Sequence, residues 1–241
     1  MSTLLLRLAA PMQAWGDESK YDIRGTRKEP TKSGVIGLIA AAMGYKRDSE
    51  EIVVLDEKLR MGIRVDQQGR IEKDFHIARA PKYDKNGFVQ YEEDGSIKLG
   101  DSYVTYRYYL CDAVFLVGLE SDDASLLQEV KEALTHPVYP LFLGRRSCPI
   151  TQPFVLGVEQ DSLEAVLKNY RWIASDWYQK KYGSTNARMI FETAHGQQAW
   201  YTLRDKPISF SPIHRKHGIR GVDKEQNMTL GVKEHDPMSV L

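Results

Sequence analysis

Four short segments of this chain carry side chains suited to chemistry, and the chemistry they suit is recognition of bases and phosphates. In Pro11-Met12-Gln13-Ala14-Trp15-Gly16, the Gln13 amide can hydrogen-bond a base edge and the Trp15 indole can stack on a base. The same indole can instead close off a core. In Pro30-Thr31-Lys32-Ser33-Gly34, Lys32 and Ser33 stand at the head of an apolar run. A helix starting there offers free N–H groups and the positive end of its dipole to a phosphate. Ordinary capping uses the same residues, and the glycine-rich lead of a Walker A loop is missing. The third segment, Leu143-Gly144-Arg145-Arg146-Ser147-Cys148-Pro149, sets Arg145 and Arg146 beside a glycine that permits close backbone approach. Paired guanidiniums grip phosphates bidentately, or they form a salt-bridged surface loop. In the fourth, Tyr106-Arg107-Tyr108-Tyr109-Leu110-Cys111-Asp112, strand alternation puts Arg107 and Tyr109 on one face and Tyr108 on the other. An arginine between tyrosines can hold a phosphate or stack on a base, or the segment can be an aromatic rim of the core.

Charge placement sharpens this reading. The chain has 33 basic and 33 acidic residues and no net charge, which argues against a free-standing, strongly basic nucleic-acid binder. Arg24, Arg27, Lys28 and Lys32 nevertheless face only one acid in their stretch, Glu29. Between Arg204 and Arg220, five Lys or Arg and the histidines His214 and His217 surround only Asp205. A chain segregated in this way can bind an anion on one face while staying neutral overall.

No catalytic constellation accompanies these segments. HExxH, GxSxG, a Rossmann glycine fingerprint and a paired-carboxylate motif are all missing. His214 and His217, three apart among basic residues, could serve acid–base ribonuclease chemistry or simply bind phosphate. The two cysteines, Cys111 and Cys148, have no CxxC partner. Neither a zinc site nor a disulfide framework is expected, no cofactor is expected, and a reducing cytoplasm is the default location. The N-terminus reads as a strand rather than a signal peptide, and no apolar run is long enough to span a membrane.

The elements that must hold these residues are partly readable. A length of 241 residues suits one large domain or two small ones sharing a core. Thr3–Ala10 predicts a buried strand stopped by Pro11. Val35–Met43 predicts a buried helix, capped by Thr31 or Ser33 and ended by Gly44. A shorter helix over Ser49–Leu59 and a strand over Arg60–Asp66 follow. Residues 71–105 are polar with exposed aromatics and carry turn signals at Asn86-Gly87 and Asp94-Gly95, so they predict an inserted hairpin. Tyr108–Leu119 predicts a central strand, Asp122–Leu134 an amphipathic helix, and Phe154–Val158 a further strand. Asp161-Ser162-Leu163-Glu164 matches a capping box ahead of another helix. Trp172–Asn186 shows no period, Thr202–Phe210 predicts a strand, and the tail after Asn227 is expected to be poorly ordered. The order fits an α+β, ferredoxin-like sheet with helices on one face over residues 1–150, and a smaller C-terminal part over 151–241.

Taken in order, Leu5–Gly16, Pro30–Leu38, Asp74-Phe75-His76, Tyr108–Ala113 and Leu143–Pro149 resemble the CasD family, a branch of the RAMP superfamily that serves type I-E Cascade. The resemblance runs from about residue 3 to about 158, and Arg204-Asp205-Lys206-Pro207 retains a further family-like feature. It implies a modified ferredoxin-like, RRM-related fold whose insertion is a thumb reaching a CasC backbone subunit. It implies a non-catalytic subunit that caps the 5′ handle of a CRISPR guide RNA beside CasA, and that meets target DNA through the assembled antiviral complex. Arg107 is then the leading handle contact. Gln13, Trp15, Arg24, Arg27, Lys32, Ser33, Tyr108, Arg145 and Arg146 complete the expected RNA-binding set. In related type I-C systems the corresponding subunit cuts repeat RNA with Tyr, Lys and His side chains, so a metal-independent endoribonuclease is the alternative expectation.

Overall fold

The computed structural model describes residues 1–16, 22–211 and 213–231. Its centre is β1 (Ser2–Ala9), in which alternation sends Leu4, Leu6 and Leu8 into one core and Leu5 and Ala9 into another. Two-residue strands β2 (Met12–Gln13) and β3 (Ile23–Arg24) follow. Helix α1 (Lys32–Ala42) starts at Thr31, whose hydroxyl accepts the Gly34 N–H at 3.2 Å, and it closes through Gly44 at φ +78°. Next come α2 (Glu51–Lys58), β4 (Arg60–Gln67), β5 (Arg70–Pro81), β6 (Leu99–Cys111) and β7 (Val114–Ser121). Helix α3 (Ala124–Thr135) is capped by Asp123 and buries Leu127, Val130 and Leu134. The chain ends with β8 (Val155–Glu159), α4 (Leu163–Asn169), α5 (Asp176–Tyr182), β9 (Ser184–Phe191), the hairpin β10 (Tyr201–Ser209) and β11 (Lys216–Val222), and β12 (Gln226–Gly231).

Six strands form the main sheet in the order β12-β9-β4-β7-β1-β8, every neighbouring pair antiparallel. Helices α1, α2 and α3 cover the face that carries Leu4, Leu6 and Leu8. Helix α4, in the C-terminal part, lies on the opposite face with Leu163, Val166 and Leu167 against Leu5, Val114 and Leu116. Strands apolar on both faces need cover on both. Gly62 and Gly118, paired across β4 and β7, make the approach possible: a Cβ at Gly62 would meet Leu167 Cδ1 at 2.8 Å. The β1–β8 ladder joins residues from either side of position 150 in one sheet.

Three smaller readings change. Ser162 caps α4 by accepting the Ala165 N–H, but Glu164 does not complete a capping box; it reaches Arg60 at 2.5 Å. The stretch from Trp172 to Asn186 holds α5 and the start of β9. Helix α5 buries none of its residues, so its sequence has no apolar period to read. The chain beyond Asn227 continues as β12, paired with β9 and burying Leu230. The remainder of the tail expected to be poorly ordered, 232–241 with His235, lies outside the described residues.

Strands β5 and β6 extend beyond the body as an antiparallel ribbon, from Arg70 opposite Cys111 to Pro81 opposite Leu99. Its two faces differ. Ile71, Phe75, Ile77, Val104 and Tyr106 project from one side and are exposed. Glu72, Asp74, His76, Thr105, Arg107 and Tyr109 share the other.

A buried ion pair pins α4 to the sheet. Arg64 is fully buried and holds both Asp66 carboxylate oxygens at 2.7 and 2.8 Å. It also donates to the carbonyls of Leu167, Tyr170 and Arg171 at the end of α4, where a cation complements the helix dipole. Asp66 in turn accepts the Ile173 N–H at 2.8 Å. Arg64→Ala strands a buried carboxylate and is expected to cost about 3–5 kcal/mol in urea denaturation. An Arg64→Met/Asp66→Leu double variant should recover most of that loss.

Candidate nucleic-acid interface

The charged side of the ribbon root gathers three arginines. Strand β3 pairs parallel with β6 so that Arg24 lies beside Arg107, while Asp74 of β5 flanks Arg107 on the other side. Arg107 is half-buried, and its Nε has no hydrogen-bond partner. A guanidinium nitrogen is costly to leave unsatisfied. Arg145 comes to the same face from the 143–149 loop, its Cζ 4.9 Å from the centre of the Tyr109 ring. Its nitrogens donate to the carbonyls of Tyr108, Arg24 and Gly25 at 2.9–3.1 Å. Arg145 thus clamps the Arg24 segment onto β6 and holds the Arg24–Arg107 pair in place. Gly144 permits this arrangement, since its φ is +89° and a Cβ there would overlap the Ala14 carbonyl oxygen. Tyr108 faces the opposite side, in register with Lys73, and contributes its carbonyl rather than its phenol.

The other residues expected at an RNA contact have internal work. Gln13 is fully buried, donates to the carbonyls of Ala113 and Leu8, and accepts the Trp15 Nε1–H at 3.0 Å. Trp15 is 1% exposed and packs in the core. Lys32 is buried and paired with Asp56 at 3.1 Å and Glu192 at 2.7 Å, which leaves no charge for a phosphate. Ser33 is buried beside Thr31. The N-terminus of α1 already holds an anion, because the Lys32 N–H donates to Asp205 at 2.9 Å and Arg220 grips Asp205 at 2.8 Å through two nitrogens. A protein carboxylate therefore occupies the position where the sequence pointed to a phosphate. The signal was present in Arg204-Asp205-Lys206-Pro207, whose acid stands alone among bases. Arg27 lines a cavity of about 160 Å³ with Glu29, Asp205, Arg220 and Glu225, and Arg24, Arg107 and Arg145 do not line it. Arg146 is exposed and turns from Arg145 toward a second, larger groove.

Reactive groups are subdued. Burial raises both the Cys111 and Cys148 thiols above their ordinary value, which keeps them protonated. His217 packs 6.3 Å from Phe210, and burial followed by the charge of Arg215 lowers its pKa. Among the described residues no three His, Cys, Asp or Glu side chains cluster to hold a metal, and no helix is long and apolar enough to cross a membrane.

Asp205 supplies a pH test. Burial alone would raise its carboxyl, but Arg220 and the Lys32 N–H outweigh burial and hold it below the ordinary carboxylate value. Its contribution is therefore complete above an unfolded value of about 3.9 and disappears as pH falls through the depressed folded value. Urea midpoints should drop below about pH 4 in the parent. In Asp205→Asn that acid-dependent loss should shrink. Asp205→Ala, which leaves Arg220 buried without its counter-charge, is expected to cost about 3–5 kcal/mol at neutral pH.

Comparison with known proteins places the chain in a family. Residues 3–223 match the family described as CRISPR-associated protein (Cas_Cas5). The chain is 33% identical over 223 residues to the CRISPR system Cascade subunit CasD of Escherichia coli, covering 88% of this chain and 91% of that protein. A chain of a CRISPR RNA-guided surveillance complex is similar with a TM-score of 0.69 and 26% identity, over 98% of this chain and 96% of that one. A crystal structure of a Cas protein gives a TM-score of 0.63 at 31% identity, with 95% of each chain covered. The ordered motifs of the first 158 residues and the match through residue 223 agree: the chain belongs to the CasD/Cas5 family of CRISPR-associated proteins.

Proposed function

We propose that this chain is a non-catalytic subunit of a Cascade-type CRISPR surveillance complex, and that it caps the 5′ handle of the guide RNA on the Arg107 face. The observation that carries the reading is the orphaned, buried Arg107 Nε beside Arg24, on a platform fixed by Arg145 and Tyr109. Two guanidiniums next to an aromatic ring suit a phosphodiester and its base. Within this reading β1, α1, β4, β7, α3 and β8 are a ferredoxin-like core, supported by the strand order β4-β7-β1-β8. The ribbon is the thumb. Its exposed apolar side, with Phe75, Ile77 and Val104, suits contact with a backbone subunit such as CasC, while its charged side turns to RNA. CasA and target DNA meet the chain in the assembled complex, in the cytoplasm.

The test is to purify the complex formed around the tagged full-length chain and sequence the 5′ ends of its RNA. A uniform repeat-derived 5′ end joined to varied spacers is expected. Arg107→Ala should weaken handle retention by about 1.5–3 kcal/mol, the scale of a hydrogen bond to a charged group. Repeat RNA absent from the complex, in a cell that makes guides, would sink the reading.

A further inference from the structure

A second basic groove lies on the other side of the 143–149 loop. Its volume is about 950 Å³, the upper end of the range for ligand pockets. Its floor is the small-residue face of α1, with Gly34, Gly37, Ala40 and Ala41. One wall is the 139–149 segment, including Tyr139 and Phe142. The other is the tip of the β10–β11 hairpin, where Phe210 sits over Gly37 and its N–H donates to the Arg47 carbonyl at 3.2 Å.

The charge of this groove is one-sided. Lys46, Arg47, Arg146 and Arg215 line it, and no carboxylate does among the described residues. None of the four has an ion-pair partner among the described residues, and Arg215 instead lies over the Phe210 ring at 5.6 Å. Burial and then the charge of Arg47 lower the Arg215 pKa, so the two guanidiniums feel each other. Glu129 and Glu51 act on Tyr45 but do not line the groove. Like charges held together without counter-ions, among aromatic rings on a flat floor, are what a single strand of nucleic acid needs: phosphates meet the cations and bases stack on the rings.

We infer that this groove is a further single-stranded RNA subsite, with Arg47 and Arg215 holding phosphate, Arg215 braced on the Phe210 ring, and the exposed Tyr139 offering a stacking surface. The inference rests on the guide-binding reading above and extends it. Arg145 faces the Arg107 platform and Arg146 faces the groove, so one strand crosses the Gly144 turn and occupies both.

The probe is a short fluorescein-labelled uridine oligonucleotide, titrated by anisotropy into the full-length chain over a range of salt. Arg47→Ala/Arg215→Ala should weaken binding at least roughly tenfold. It should also flatten the log K against log salt slope by about 1.4, close to 0.7 for each phosphate no longer neutralised. Arg146→Ala, at an exposed position, gives an independent reading with about half that change in slope. Arg47→Lys/Arg215→Lys should keep most of the slope, which separates charge from folding. Unchanged affinity and slope in the double alanine variant, with Arg107→Ala still weakened, would overturn the groove and leave the handle reading standing. A neutral Arg107→Ala beside a weakened groove variant would remove the platform and keep the groove. Poly-glutamate that binds as tightly as the oligonucleotide, and no longer binds the same variant, would overturn the RNA assignment in favour of an acidic protein segment.

Discussion

The Asp205 carboxylate accepts the Lys32 N–H and a two-pronged grip from Arg220, and the position of the whole β10–β11 hairpin follows from that contact. All three groups are buried, so none is free to exchange its partner for water. By docking on the first turn of α1, the hairpin is brought along the helix until Phe210 covers Gly37. The groove proposed as an RNA subsite is the space this docking leaves open. The same contact removes the helix N-terminus as a site for an outside anion, because a protein anion already satisfies it.

A second organising feature is the loop at Gly144. Its backbone passes so close to Ala14 that only glycine fits, and the two arginines after it part company. Arg145 spends its donors on carbonyls and on the Tyr109 ring, and so acts as a brace for Arg24. Arg146 stays exposed on the far side. Adjacent residues of the same type thus serve structure and surface respectively, a distinction that depends on where each side chain finds acceptors.

The sequence was most informative where periodicity and burial coincide. The Leu-rich β1, the capped α1 and the amphipathic α3 were readable because their apolar positions repeat and their caps are ordinary. The ribbon was readable from its polarity and from two glycine turns, which lie at φ +84° and +83°. Helix α5 and strand β12 were not, since one buries nothing and the other owes its place to pairing with β9, far from local preference. Basic and aromatic residues were the least readable. Lys32 and Trp15 have the composition of an RNA contact, yet each found an internal partner more than a hundred residues away or a place in the core. Arg47 and Arg215 are separated by most of the chain, and nothing local in their segments shows that they share a groove.

The ribbon also leaves an uncovered surface on the free chain. Its apolar side is exposed along several repeats of the pleat, and the outer edge of β5 has no strand beside it among the described residues. A two-stranded ribbon of this kind gains little stability on its own and presents both a greasy surface and open N–H and C=O groups to another copy. Self-association is second order in concentration, whereas unfolding is first order. Any loss of free chains through this surface would therefore grow with their concentration, and a partner covering the ribbon would block it without altering the sheet.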